Sequence, residues 1–308
     1  MGVEMVCTRC EYVFEAKTLE VEGNLIAQTK ECPKCDGDAV ELPEEKNELE
    51  TWNYPLEIVN GHMIVEVGRR KFLIDTGAGD CINRELDPFV EFADKKWHAV
   101  QKYLGVMLID ICKHVGAEVD AMIGSNALSC LSWMARIDEG VFTVHNKIPS
   151  EWMKNMAWLR CNPSATPVLR IKHNGEEYKA VIDTGAKVCY TKRSVWDVVM
   201  GNIINTEDFY PTPKGIEVFD VPLKTMQIGF PDGVTHERDE AGNPSGKLTR
   251  TPLHDTFLPI GILPEHLESL LDTSGADFIL GPELLQSIKI GFSIGRKIAF
   301  LEPKDECE

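Results

Sequence analysis

The chain has 308 residues, room for two domains of ordinary size and a small appendage. Its 43% hydrophobic and 26% charged content excludes a wholly disordered polymer. With 49 acidic residues against 32 basic ones, the formal net charge is −17, which repels phosphate backbones and argues against nucleic acid as a partner.

Residues 1–7 carry neither a basic region nor a long apolar core, so no signal peptide is expected, and Val6 stands where myristoylation needs Ser or Thr. The longest apolar stretch, residues 103–109, falls far short of the ~20 residues that span a bilayer. The expectation is a soluble cytoplasmic protein with no membrane partner.

Ten cysteines are present, and four of them form two CxxC pairs, Cys7 with Cys10 and Cys32 with Cys35, separated by 21 residues. Each knuckle lets two thiolates reach one ion from a tight turn, and two knuckles supply the tetrahedral four-sulfur shell of structural zinc. With short alternating runs between the knuckles, residues 1–40 resemble a zinc ribbon. One Zn2+ per chain is expected there. Four sulfurs leave no open coordination position, so the ion is structural and no cofactor is expected for catalysis. Four basic residues against eight acidic ones in this segment favour docking of a protein partner over nucleic acid. Residues 41–51, rich in Glu, read as an acidic linker.

An internal repeat follows. The first copy, residues 63–78, and the second, residues 168–186, each read as a β-hairpin ending in Ile-Asp-Thr-Gly-Ala. The turns are Gly68-Arg69-Arg70 and Asn174-Gly175, the second a strong hairpin signal. Cys81 and Cys189 follow the two aspartates at the same offset and read as small buried residues. Each copy has a second element, Met122-Ile123-Gly124 and Ile279-Leu280-Gly281, with a leucine four residues past the glycine, at Leu128 and Leu285. Residues 52–145 thus form a first lobe, 146–166 a connection carrying Trp152 and Trp158, and 167–308 a second lobe.

One Asp-Thr-Gly is weak evidence. Two copies 108 residues apart, each at the end of an apolar strand, call for a chemical reason. Gly77 and Gly185 let backbone approach closely where a Cβ would clash. The hydroxyls of Thr76 and Thr184 can pin the two turns to each other. Asp75 and Asp183 then stand side by side, and two carboxylates about 3 Å apart share one proton. The ionised member can take a proton from water while the protonated member donates to a peptide carbonyl.

At these residues the chain resembles the aspartic peptidases of the pepsin and retropepsin type, over about 250 residues. The resemblance implies a mainly β, bilobal fold of two similar β-barrel lobes, here short and fused, with a zinc ribbon in front. It implies Asp75 and Asp183 as catalytic residues, supported by Thr76, Gly77, Thr184 and Gly185, and a peptide or protein as substrate.

Three departures stand out. Asp75 to Gly124 spans only 49 residues against 98 from Asp183 to Gly281, so no flap is expected in the first lobe. Residues 95–115 there read as partly helical, with Trp97, Val100, Leu104, Leu108 and Ile111 on one face. In the second lobe, residues 222–230 and 251–259 are candidate flap strands around a polar segment, 231–250. Both motifs also end in Ala (Ala78, Ala186), which cannot donate to the carboxylates as Ser or Thr would, so a raised pKa and a mildly acidic to neutral optimum are expected. Finally, no pro-segment is recognisable. The alternative reading is a catalytically silent scaffold or binding module with a docking domain. The eight histidines show no ligand spacing.

Overall fold

The structure is a computed structural model that describes residues 2–7, 13–21, 24–27, 31, 34, 39–41, 48–85, 87–152, 156–161, 166–196, 203–238, 244–253 and 255–302. The protein is mainly β. It divides into two compact units, Met1–Leu49 with Glu237–Lys247, and Glu50–His236 with Leu248–Glu308.

In the first unit, Gly2–Cys7, Val13–Val21, Asn24–Ala27 and Ala39–Glu41 form a four-stranded sheet, antiparallel at every junction. The backbone of Cys7 ends one strand. Its side chain, and Cys10, Cys32 and Cys35, lie outside the described residues, so the zinc expectation does too.

In the second unit the repeat recurs as topology. His62–Val67 and Arg70–Ile74 form a hairpin, with Val67 opposite Arg70. Ala121–Ile123 runs parallel to Arg70–Ile74, and Cys81–Asn83 runs antiparallel to Ala121–Ile123 on its other side. The second copy repeats this order and sense. Val168–His173 and Glu176–Ile182 form the hairpin, Phe278–Leu280 lies parallel to its second strand, and Cys189–Thr191 lies antiparallel beyond. Asn174 and Gly175 both take positive φ, 50° and 84°, the conformation that two-residue hairpin turns demand.

In each copy the short apolar strand therefore lies between the two strands that flank an Asp-Thr-Gly loop, so the loop must cross over its end. That crossing explains the glycine after each apolar pair. A Cβ at Gly124 would run into the backbone of Asp80 and Ala78, and one at Gly281 would press on the carbonyls of Ala186 and Val188.

The expected connection contains a strand that joins the two halves. Ala157–Arg160, inside the expected connection, is a strand paired with Ile298–Leu301, which continues through Ile290–Ser293 to Ser132–Arg136 of the first half. The two halves share one sheet because C-terminal apolar strands complete a face that the first half leaves open. Trp133 lies at that seam, fully buried between Phe142 and Phe292 with ring centroids 5.6 and 4.7 Å away. No closed barrel is shown among the described residues: each sheet has a linear strand order, and the first repeat's ladder runs on into the shared sheet.

Residues 95–115 are helical only over Leu108–Val115. Lys95–Val100 is a strand, and Lys102–Tyr103 pairs with Val106–Met107 across a turn where Leu104 and Gly105 have φ of 47° and 89°. No helix among the described residues is long and apolar enough to cross a membrane.

Candidate active site

The two Asp-Thr-Gly loops meet. Asp75 N–H donates to the Ile123 carbonyl and Asp183 N–H to that of Leu280, each at 3.0 Å, which ties each loop to the strand it crosses. The threonines interlock: Thr76 Oγ1 donates to the Ile182 carbonyl (2.7 Å) and accepts from Thr184 N–H (3.0 Å). In mirror fashion, Thr184 Oγ1 donates to the Ile74 carbonyl (2.9 Å) and accepts from Thr76 N–H (3.0 Å). Both side chains are completely buried, so these bonds exclude any competition from water.

This clasp brings Asp75 and Asp183 into hydrogen-bond contact with each other. Asp75 Oδ1 accepts from Gly77 N–H (2.9 Å) and Ala78 N–H (3.0 Å), and Asp183 Oδ1 accepts from Gly185 N–H (3.0 Å). A Cβ at Gly77 would occupy the Asp183 carboxyl, and one at Gly185 the Asp75 carboxyl. The sequence-predicted site residues of the repeat are thus all assembled in one place.

Burial raises both carboxyls above the ordinary aspartate range, and the neighbouring Asp183 charge adds to the rise at Asp75. The backbone donors oppose the shift but do not cancel it. Two like charges in contact cannot both ionise, so the pair shares a proton over a wide pH range. The raised direction agrees with the expectation drawn from Ala78 and Ala186, although burial comes first among its causes.

Cys81 and Cys189 are buried as expected, but they are not merely apolar filler. Their sulfurs accept N–H bonds from Gly124 (3.4 Å) and Gly281 (3.3 Å), fixing the crossing strands.

The carboxyls line a cavity of about 100 Å³. At roughly 10–15 Å³ of that volume per water, it holds several waters. What covers the dyad corrects the flap expectation. The strands that contain 222–228 and 256–259 do pair, but the cover over the dyad lies at the other end of the first of them. Gly215–Ile228 and Thr256–Ile262 pair in the second sheet, and the covering element is the 204–228 hairpin, Ile204–Thr212 with Gly215–Ile228. Its Phe209, Tyr210 and Pro211 line the cavity. The first half has a cover as well, the 102–107 hairpin, which brings Tyr103 to the cavity. The two tips meet, with Gly105 facing Pro213. Pro211 and Pro213 conceal the longer hairpin in the sequence, yet Ile204–Thr212 is an edge strand, where proline is tolerated.

His62 also escaped the sequence reading. It is 1% exposed, lines the same cavity, and its Nδ1 lies 3.1 Å from the Gly185 carbonyl. Burial pushes its pKa down to about 4, so it is neutral near pH 7. No local sequence signal marks it, because its partner lies 123 residues away. No cluster of metal-binding side chains occurs among the described residues.

No family model matches the chain, and no curated protein matches it. Among solved structures, Basic 7S globulin from soybean is similar at a TM-score of 0.45 and 10% identity, covering 84% of this chain and 96% of that one. The family resemblance read from the motifs is therefore corrected: neither the pepsin and retropepsin peptidases nor a zinc ribbon finds a sequence match here. The physical reason lies in the motif. Asp-Thr-Gly is what a turn needs to hold a carboxylate on backbone N–H groups beside a close neighbour, so it reports local geometry rather than descent. Function must then be argued from the site.

Proposed function

We propose that the chain hydrolyses peptide bonds with a water activated between Asp75 and Asp183. The observation that carries this reading is the carboxyl pair itself, held in contact by interlocked threonines although the arrangement costs stability. In a scaffold, two buried like charges are a liability. In a hydrolase they supply a base and an acid in one place.

One carboxylate accepts a proton from the bound water as its oxygen attacks the carbonyl carbon. The other carboxyl donates its proton to the carbonyl oxygen, giving a neutral tetrahedral gem-diol. On collapse, the ionised carboxyl takes a proton from one hydroxyl of the diol while the protonated one donates to the leaving amine, so the dyad again holds one proton. The raised carboxyl pKa values suit a mildly acidic to neutral optimum. The substrate is an extended peptide or unfolded protein segment, admitted when the two hairpins part.

The test is cleavage of a peptide library between about pH 3 and 8 by the native chain and by Asp75→Asn and Asp183→Asn. The native chain is expected to cut and both variants to fail. An active single variant sinks the shared-proton mechanism.

A second reading is a silent binding module, favoured by a cavity of about 100 Å³ that two hairpins close. Cleavage of no peptide at any pH would establish it. Separately, the spacing of Cys7, Cys10, Cys32 and Cys35 supports one structural zinc per chain, in a segment suited to docking a protein partner.

A further inference from the structure

The 204–228 hairpin is not held over the dyad by apolar contact alone. Its strand Ile204–Thr212 is the edge of the seven-stranded sheet and, among the described residues, pairs only with Gly215–Ile228. One carboxylate anchors it elsewhere. Asp208 is 6% exposed and accepts a hydrogen bond from the Tyr190 hydroxyl, itself 2% exposed. It also accepts from its neighbour Phe209 N–H at 2.7 Å and from the backbone N–H of Lys187. Lys187 is four residues past Asp183, and Tyr190 is on the strand Cys189–Thr191 that leaves the same loop. Asp208 therefore fastens the cover to the loop that carries one half of the dyad.

We infer that Asp208 is a positioning residue that docks the 204–228 hairpin onto the Asp183 loop, and that its ionisation loosens the hairpin. This inference rests on the hydrolytic reading for its significance, though not for its test. The carboxyl is buried and forms no ion pair among the described residues: the Lys187 ammonium donates to the Glu207 carbonyl at 2.7 Å and favours the ionised form only as a nearby charge, which burial outweighs.

Of the other groups near Asp208, the Tyr190 hydroxyl favours its ionised form by donating to it, while the Glu283 carboxyl, on the helix Pro282–Ser287, is itself raised by the Asp208 charge. Across the hairpin stands apolar Phe219, between Val218 and Asp220, with Glu217 one residue further along the strand. Asp75 and Asp183 lie beneath the same cover.

Burial pushes Asp208 up to about 6, against an ordinary 3.8. An opened hairpin returns it to water. The closed state then holds a proton that the open state has released, so closure is firmest below pH 3.8 and weakens as pH rises through about 6. At tenfold per pK unit, the span allows up to a change of about a hundredfold in the closing equilibrium.

Amide hydrogen exchange across residues 204–228 of the full chain, corrected for intrinsic rates and followed from about pH 4 to 8, tests this. In the native chain, protection is expected to fall from about pH 4 and to level off above about 6. Asp208→Asn should lose that fall, whereas Glu283→Gln and Asp75→Asn should keep it. Tyr190→Phe removes a donor to the ionised form and should move the levelling-off point upward, so the inference stays testable even if Asp208→Asn does not fold. An Asp208→Asn hairpin with native pH dependence overturns it, as does a levelling-off point unmoved in Tyr190→Phe. No substrate is needed, so a chain that cuts no peptide still reports on the docking. A chain that cuts peptides beneath a pH-indifferent hairpin refutes the docking alone.

Discussion

The two Asp-Thr-Gly repeats share a backbone and differ in what stands behind it. Behind the first loop, Ser125 N–H donates to the Ala78 carbonyl (2.8 Å) and Asn126 N–H to that of Gly79 (3.0 Å). The Asn126 side chain is neutral and fully engaged, accepting from Cys81 N–H (3.1 Å) and donating to the His98 carbonyl (2.9 Å). At the matching positions of the second repeat stand Pro282, which has no N–H, and Glu283, which burial pushes up to about 7. Gly79 and Ile82 in the first correspond to Lys187 and Tyr190 in the second. One loop is thus held by fixed neutral bonds and the other by titratable groups. The covers differ in the same sense, a short 102–107 hairpin against the longer 204–228 hairpin. A duplicated frame can keep its carboxyl geometry symmetric while concentrating its response to pH in one copy.

The largest expected effect tests the symmetric part. If the carboxyls act as one acid and base pair, Asp75→Asn and Asp183→Asn each lower the turnover of a cleaved peptide by about 10²–10⁴-fold. The double variant then falls little further, because the two act as a unit. Additive losses would separate the aspartates and break the comparison at its centre.

Next come Thr76→Val and Thr184→Val. Each leaves a buried backbone N–H and a carbonyl of the other repeat without a partner, at a cost of about 1–3 kcal/mol per unsatisfied group. Denaturant unfolding should show both variants destabilised by similar amounts, with a double variant less than additive because the hydroxyls share one network.

The asymmetric part is sharpened by Glu283→Gln. The folded pKa of about 7 lies above the ordinary 4.5, so the associated stability is present below pH 4.5 and lost as pH rises through 7. The variant should flatten that stretch of the stability profile by about 1–3 kcal/mol. Changing neutral Asn126 to Ala should leave the slope as it is. The smallest expected effect on the second unit is from Cys7→Ser or Cys32→Ser. Metal analysis should show loss of zinc from the chain, while unfolding of the unit built from residues 50–236 and 248–308 barely shifts.

Much of the site was legible in the chain. Asp75, Thr76, Gly77 and their counterparts could be named because each motif ends a strand whose alternation is visible locally, and because the copy repeats the spacing. The crossing glycines, Gly124 and Gly281, were legible for the same reason. The covers were not. A helical reading of residues 95–115 missed the turn at Leu104 and Gly105, and Pro211 and Pro213 disguised an edge strand. The shared sheet was hidden as well, since nothing in Ile290–Ser293 says that its partner is Ser132–Arg136.

By itself the sequence determined a mainly β chain with a duplicated strand, turn and carboxylate, because side-chain alternation and turn chemistry act over a few residues. Only the tertiary structure decided that the two carboxyls touch, that burial lifts both above the ordinary aspartate range, and that Asp208, Tyr190 and His62 belong to the same site. Burial and contact between distant segments set those properties, and neither is encoded at any single position.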